Sequence, residues 1–221
     1  MSETIDTPDV VIRRISVSDM DNNVYLLTAK STGARVLIDA ADDAPAIEAL
    51  LRESAADGPV SGDDPTAPSL QAICTTHSHW DHVRALPEVA TSTGATTIAG
   101  VDDAPDIEHP TQHTVTHGDV GDFGGLSLEA IALRGHTPGS IALAYRDPGG
   151  PAHLFTGDSL FPGGLGNTGG DAARFESLYN DVVERIFDRF GDDTVVHPGH
   201  GKSTTLGAER PSLPEWRSRG W

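Results

Sequence analysis

Residues 75–83 of this chain read Thr75-Thr76-His77-Ser78-His79-Trp80-Asp81-His82-Val83, and three imidazoles and one carboxylate fall between residues 77 and 82. An apolar run at 70–76 overlaps its start and predicts a buried strand. Side chains two apart in an extended chain point to the same side, so His77 and His79 can reach one ion. Residues 83–90 have helical spacing, so Asp81 and His82 fall at the turn into a helix and point differently. The stretch therefore favours two adjacent cations over one.

Three later segments each follow a run with strand character and carry one more candidate ligand. They are Arg134-Gly135-His136-Thr137-Pro138-Gly139-Ser140, Phe155-Thr156-Gly157-Asp158 and His197-Pro198-Gly199-His200-Gly201. Together with the first stretch they resemble, in chain order and spacing, the His-x-His-x-Asp-His signature and the later motifs of the metallo-β-lactamase superfamily. The resemblance covers residues 23–201. It implies an α/β fold, a four-layer αββα sandwich with its site at the edge between the two sheets.

The resemblance also implies a ligand set. His77, His79 and His136 would bind one ion, Asp81, His82 and His200 a second, and Asp158 would bridge them. A water-derived hydroxide between the ions would be the nucleophile, with Asp81 and Asp158 as the catalytic carboxylates. We expect two divalent ions, with zinc first and iron or manganese open, because imidazole and carboxylate suit all three metals.

Within the superfamily the chain looks most like the glyoxalase II-like, or hydroxyacylglutathione hydrolase-like, subgroup. The wording that carries this is Thr76-His77-Ser78-His79-Trp80-Asp81-His82, Thr156-Gly157-Asp158-Ser159-Leu160-Phe161 and Gly164-Leu165-Gly166. The resemblance implies a hydrolase of a small thioester or ester. Asn167 stands where the subgroup commonly has a basic residue for glutathione, and no long helical extension follows His200. We therefore expect Asn167 to contact the substrate, and glutathione thioesters to be poor substrates.

Other functions fit the same motifs. A mononuclear iron oxidoreductase resembling the persulfide dioxygenases would keep the first histidine pair, the third histidine and the aspartate. A lactonase would keep the dinuclear site, and a metal-binding protein without turnover would keep the ligands alone. Gly157-Asp158-Ser159-Leu160 also spells a serine-esterase motif, but no later Asp-x-x-His partner follows it, so we predict a structural role for Ser159.

The composition of the chain limits the classes of molecule that it is expected to bind. The formal charge of −18 opposes binding to nucleic acid or to anionic membranes. The resemblance implies a small-molecule substrate. The acidic N-terminus and the absence of an apolar stretch of membrane-spanning length predict a cytoplasmic protein. A length of 221 residues with 37% apolar content fits a single domain over residues 1–221, whose tail at 203–221 has no assigned role. Oligomeric state is not predicted.

Periodicity predicts the remaining elements. Strands are expected at 10–17, 24–29, 35–40, 96–99, near 115, 126–133, 141–145, 153–156 and 194–197. Helices are expected at 44–56, 83–90 and 173–190, and loops at 57–69 and 161–171. Cys74 should be buried. The acidic doublets, which are Asp42-Asp43, Asp63-Asp64, Asp102-Asp103 and Asp192-Asp193, should be solvated or cap helices. His109, His113, His117 and His153 should lie on the surface or in loops, and His197 should be structural.

Overall fold

The computed structural model describes residues 2–59 and 70–220. Most of the predicted loop at 57–69, including the doublet Asp63-Asp64, lies outside the described residues. Within the described residues the chain forms two large sheets and a separate two-stranded hairpin.

The first sheet has seven strands in sequential order, from β1 to β7. Its strands are β1 Glu3–Asp6, β2 Val10–Val17, β3 Asn22–Ala29, β4 Arg35–Ile38, β5 Leu70–Thr75, β6 Thr96–Gly100 and β7 His113–Val115. Strands β1 to β4 pair antiparallel, and β4 to β7 pair parallel. The carboxyl ends of β4, β5 and β6 therefore meet at one edge of the sheet.

The second sheet has six strands in the order β15-β14-β11-β10-β9-β8. Its strands are β8 Val120–Phe123, β9 Leu126–Ala132, β10 Ile141–Arg146, β11 Ala152–Gly157, β14 Val195–Pro198 and β15 Thr204–Thr205, and β12 Leu160–Phe161 pairs with β13 Gly164–Leu165 in the hairpin. Strands β11 and β14 are the parallel pair, so both end at the same edge. The other pairs are antiparallel.

Helices cover the outer face of each sheet. They are α1 Ala44–Glu53, α2 Leu86–Thr93, α3 Ala172–Val182, α4 Leu206–Glu209 and α5 Leu213–Arg219. Helices α1 and α2 pack with the first sheet, whereas α3 and α5 pack with the second. The expected αββα sandwich is confirmed. Among the described residues every helix is too short or too polar to cross a lipid bilayer.

Alternation along the strands produces the three apolar layers. In β3, Val24 and Leu26 face α1 and α2, whereas Tyr25 and Leu27 face the second sheet. Both faces of this strand are covered, which is why every one of its residues is buried. Cys74 of β5 is 2% exposed in the layer between the sheets, as predicted.

Two helix predictions need correction. The helix predicted at 83–90 begins only at Leu86, because Trp80–His82 forms a 3₁₀ turn and Val83 leaves the helical region with φ −130°. The helix predicted at 173–190 is α3 followed by a π-helical turn at Val183–Phe187. Its start is set by Asp171, whose carboxylate accepts from two backbone N–H groups of the first turn.

Regular structure also forms in the predicted loop at 161–171 and in the tail at 203–221, to which no role was assigned. The predicted loop at 161–171 contains most of the β12–β13 hairpin. The tail at 203–221 supplies β15, α4 and α5, and Trp216 of α5 is 1% exposed in the layer between α3 and the second sheet. The described part of the tail is therefore part of the packed fold.

Candidate metal centre

The predicted ligands converge where the two sheets meet. His77, His79, Asp81 and His82 follow the carboxyl end of β5. Asp158 and His200 follow the parallel strands β11 and β14, and His136 lies in the turn from β9 to β10. The two edges are joined by backbone hydrogen bonds, from Ile141 N to Thr76 O (2.9 Å) and from Asn23 N to Gly199 O (2.7 Å).

All seven predicted side chains lie in one cluster. Three groups have ligand atoms within 4.8 Å of one another: His77 with His79 and His136; His77 with His82 and Asp158; and Asp81 with His82 and His200. The first and third groups are the two triads expected from sequence. Asp158 lies between them, since its Oδ2 is 3.7 Å from His136 Nε2 and 3.4 Å from His200 Nε2, and its Oδ1 is 3.4 Å from His82 Nε2.

Four of the five histidines point the same ring nitrogen away from the cluster. The Nδ1 atoms of His82, His136 and His200 lie 2.7–2.9 Å from Asp39 Oδ2, Asn167 O and Met20 O. His77 Nδ1 lies 3.1 Å from Thr76 Oγ1, whose proton is donated to Asp39. Each of these oxygens can only accept, so each Nδ1 carries a proton and each Nε2 faces the cluster. This is the arrangement that metal-ligating histidines usually have.

The donor set passes a simple test of fit to a cation. His77 Nε2, His136 Nε2 and Asp158 Oδ1 are buried, yet none has a hydrogen-bond partner among the described residues. Buried polar atoms are rarely left unpaired, because the cost is about 1–3 kcal/mol each. Three such atoms facing one small volume fit a bound cation. Gly199 permits the close packing, since a Cβ there would fall on Asp158 Oδ1 and His82.

Burial and the neighbouring carboxylates shift the pKa values of the histidines in the cluster in opposite directions. Burial lowers the pKa of His77 well below its ordinary value and lowers that of His136. Burial also opposes protonation of His82, but contact with the carboxylates of Asp158 and Asp39 outweighs it and raises the pKa to about 10. The cluster therefore holds positive charge next to its carboxylates, and a metal ion that binds there must displace a proton.

Asp39 is a residue that the sequence analysis missed. Its carboxylate accepts from His82 Nδ1 (2.9 Å), Thr76 N (2.7 Å) and Thr76 Oγ1 (2.8 Å). It directly follows β4, beside β5 in the parallel part of the sheet, and has φ 56°. An acidic residue near the end of the predicted strand at 35–40 was the available signal, but the local pattern pointed to no partner for it.

Asp103 was placed wrongly. The doublet Asp102-Asp103 was predicted to be solvated or to cap a helix, but Asp103 is 0% exposed and accepts from three donors on two ligand loops. The prediction does hold for Asp43, which caps α1 by accepting from Ala46 N.

Asn167 contacts the cluster through its backbone, whereas the sequence analysis considered only its side chain. Its backbone oxygen accepts from His136 Nδ1 at 2.8 Å, and its side-chain oxygen accepts from Gly169 N at 2.8 Å. The side chain is exposed at the end of the segment that leads from Asp158 through the hairpin. Contact with a substrate stays a prediction for this residue.

His153 was expected on the surface or in a loop, which is wrong. It is 3% exposed within β11, and its Nδ1 lies 3.0 Å from Nε2 of His197 on β14. His197 is 1% exposed and its other nitrogen lies 3.0 Å from Ser203 Oγ, so its structural role is as predicted. Ser159 is 1% exposed and its Oγ has no hydrogen-bond partner among the described residues.

Comparison with known proteins agrees with the fold. The family model described as the metallo-beta-lactamase superfamily matches residues 17–200, and the chain belongs to this superfamily. The chain is 36% identical over 146 residues to a hydroxyacylglutathione hydrolase of Fuscovulum blasticum, which covers 66% of this chain and 51% of that protein. It is 28% identical over 176 residues to the hydroxyacylglutathione hydrolase GloC of Haemophilus influenzae, which covers 68% and 78%.

A solved structure has the same fold. A crystal structure of a protein in a di-iron-bound form superposes with a TM-score of 0.69 at 27% identity and covers 91% of this chain and 98% of that one. The match to the Fuscovulum blasticum enzyme spans only about half of that enzyme's length.

Proposed function

We propose that the seven clustered side chains bind two divalent metal ions. His77, His79 and His136 would hold the first, Asp81, His82 and His200 the second, and Asp158 would be shared. The observation that carries this is the common ring orientation: four Nδ1–H groups donate outward to fixed oxygens, so their Nε2 atoms face one volume. Zinc is the expected metal, with iron or manganese as alternatives.

The reaction that this site supports best is hydrolysis of a thioester. Relatives named hydroxyacylglutathione hydrolase support this class. Divalent ions held at the cluster would lower the pKa of a bound water toward 7 and polarise the acyl carbonyl. Ser159 and Cys74 are buried, and burial raises the pKa of the Cys74 thiol to about 12, so neither side chain is placed to act as the nucleophile. A thiolate leaving group needs little protonation, so no separate general acid is required.

The substrate would be a small acyl thioester, with glutathione thioesters used poorly. Asn167 is neutral, and its side chain lies exposed beside the carbonyl that orients His136. A neutral amide cannot pair with the carboxylates of glutathione, whereas a lysine could, and a charge-assisted hydrogen bond is roughly twice as strong as a neutral one. The charge of −18 adds long-range repulsion of an anionic carrier.

The test combines metal analysis with kinetics. Elemental analysis of protein purified without chelator should find two equivalents, and kcat/KM should be higher for an uncharged short thioester than for S-lactoylglutathione. The variant Asn167→Lys should improve use of the glutathione thioester more than use of the short one. Efficient wild-type turnover of S-lactoylglutathione, or no selective gain in the variant, would contradict the assignment of Asn167. A single metal equivalent that supplementation leaves unchanged would favour the mononuclear iron enzyme instead.

A further inference from the structure

Asp103 is a buried carboxylate that lies outside the set of candidate ligands. It follows β6 and is 0% exposed, whereas its neighbour Asp102 is exposed. Among the described residues Asp103 makes no ion pair, and its partners are all neutral donors. A buried carboxylate without a cation is costly unless its oxygens are well hydrogen-bonded. The burial of the Asp103 carboxylate therefore needs a physical explanation.

The donors come from two different loops. Ser78 N donates to Oδ2 at 2.8 Å and Thr137 Oγ1 donates to the same oxygen at 2.6 Å, whereas Gly139 N donates to Oδ1 at 2.6 Å. Ser78 stands between His77 and His79, and Thr137 directly follows His136. The carboxylate therefore holds backbone next to all three members of the first histidine triad.

The approach of the two loops depends on the small residue at 139. A Cβ on Gly139 would fall on the backbone nitrogen and the carboxylate of Asp103. The Thr137 hydroxyl also lies 2.5 Å from Ser140 Oγ, which ties the two ends of the turn together. The turn that carries His136 is thus packed directly onto Asp103.

We propose that Asp103 is a positioning residue that fixes the distance between the His77–His79 loop and the His136 turn, and thereby selectively supports metal binding by the three-histidine triad. This inference rests on the proposed dinuclear centre. Among the described residues its hydrogen-bond partners do not include Asp81, His82 or His200, so the second triad should be unaffected. Loss of a group that hydrogen-bonds directly to metal ligands typically costs about 10- to 100-fold in metal affinity, which is the upper bound for Asp103 because it acts through the neighbours of the ligands.

The experiment measures zinc binding in three variants beside the wild type. Asp103→Asn keeps the shape but replaces one acceptor oxygen by a donor, and Thr137→Val removes only the hydroxyl that reaches Asp103. Asp102→Asn changes the exposed neighbour and is the control. Zinc affinity is read by competition with a chromophoric chelator. Visible spectra of the cobalt-substituted proteins report the ligand geometry, and circular dichroism reports folding.

We expect Asp103→Asn to weaken one zinc equivalent by up to about 10- to 100-fold and leave the other unchanged, with a smaller loss at the same equivalent for Thr137→Val and none for Asp102→Asn. If Asp103→Asn fails to fold, Thr137→Val decides. Two equivalents of wild-type affinity in the folded variants, or an equal loss at both, would overturn the positioning role and leave the dinuclear centre standing. Fewer than two zinc equivalents in the wild type would instead overturn the centre on which the inference rests.

Discussion

At the scale of single residues, the cluster is held by oxygens that are not ligands themselves. The Asp39 carboxylate accepts hydrogen bonds from His82 Nδ1 and from the backbone N–H and the hydroxyl of Thr76. The Thr76 hydroxyl oxygen in turn accepts a hydrogen bond from His77 Nδ1. One carboxylate thereby orients one ring in each predicted triad. Backbone oxygens of Asn167 and Met20 do the same for His136 and His200.

Asp158 and Ser159 are adjacent, and they provide a matched pair of variants. Asp158→Ala should abolish hydrolysis, because the carboxylate lies within 3.7 Å of ring nitrogens from both triads. Ser159→Ala should leave most of the activity, because its buried hydroxyl has no hydrogen-bond partner among the described residues. The measurement is turnover of both variants on any accepted thioester or ester. Greater sensitivity at Ser159 would favour a serine esterase.

At the scale of elements, the C-terminal helix α5 closes the layer outside the second sheet. Trp216 packs against Phe187 with ring centroids 6.4 Å apart, in the same apolar layer as α3. Tyr179 of α3 donates its hydroxyl proton to Leu213 O at 3.1 Å. The short helix is therefore fastened to α3 by both apolar and polar contacts.

Replacing Trp216 of α5 by alanine should destabilise the fold. Trp216→Ala should reduce the free energy of unfolding by about 3–5 kcal/mol, the range for removing a fully buried large aromatic side chain. Ser218→Ala changes an exposed position on the same helix and should stay within about 0.5 kcal/mol of the wild type. Urea unfolding of the three proteins is the measurement. A small loss in Trp216→Ala would mean that α5 contributes little to the packed core.

The parallel pair β11 and β14 contains two buried histidines that predict a dependence of stability on pH. Burial lowers the pKa of His197 to about 3 and also lowers that of His153. The ordinary histidine value is about 6.5, so the unfolded chain binds protons more readily than the folded one below that pH. Stability linked to His197 is complete above about pH 6.5 and is lost as the pH falls toward about 3, by up to about 1.4 kcal/mol per pH unit, and the lowered pKa of His153 acts in the same direction.

The variant His197→Gln tests this prediction. It removes the ring with the more strongly lowered pKa, so its stability should fall less steeply than that of the wild type between about pH 6.5 and about pH 4. Urea unfolding at matched pH values gives both slopes, and the difference between the proteins removes contributions that they share. Equal slopes would show that this pair does not govern acid sensitivity.

At the scale of the whole molecule, the cluster joins the two sheets. Four of its seven side chains follow β5 of the first sheet, and three come from loops of the second. A cation bound by both groups would connect the two halves of the sandwich, and anything that binds only the folded state stabilises it. The single domain over residues 1–221 stays a prediction that unfolding can test.

Removal of metal should therefore lower the melting temperature. At a free metal concentration about a thousandfold above the dissociation constant, binding contributes about 4 kcal/mol. For a chain of this size that corresponds to a shift on the order of 10 °C. Calorimetry with and without chelator is the measurement, and one transition is expected in both states. An unchanged melting temperature would contradict the bridging role, and two transitions would contradict the single domain.

From sequence alone come most strands and the helices α1, α2 and α3, because alternation and helical spacing are local signals. The αββα class and the seven candidate ligands come from motifs that resemble those of the superfamily. The partners outside the ligand set depend on the tertiary fold. Asp39 meets His82 across 43 positions, Asp103 meets Thr137 across 34, and His153 meets His197 across 44. A carboxylate or an imidazole has no periodicity of its own, so its partner is set by which strand ends the sheet brings together.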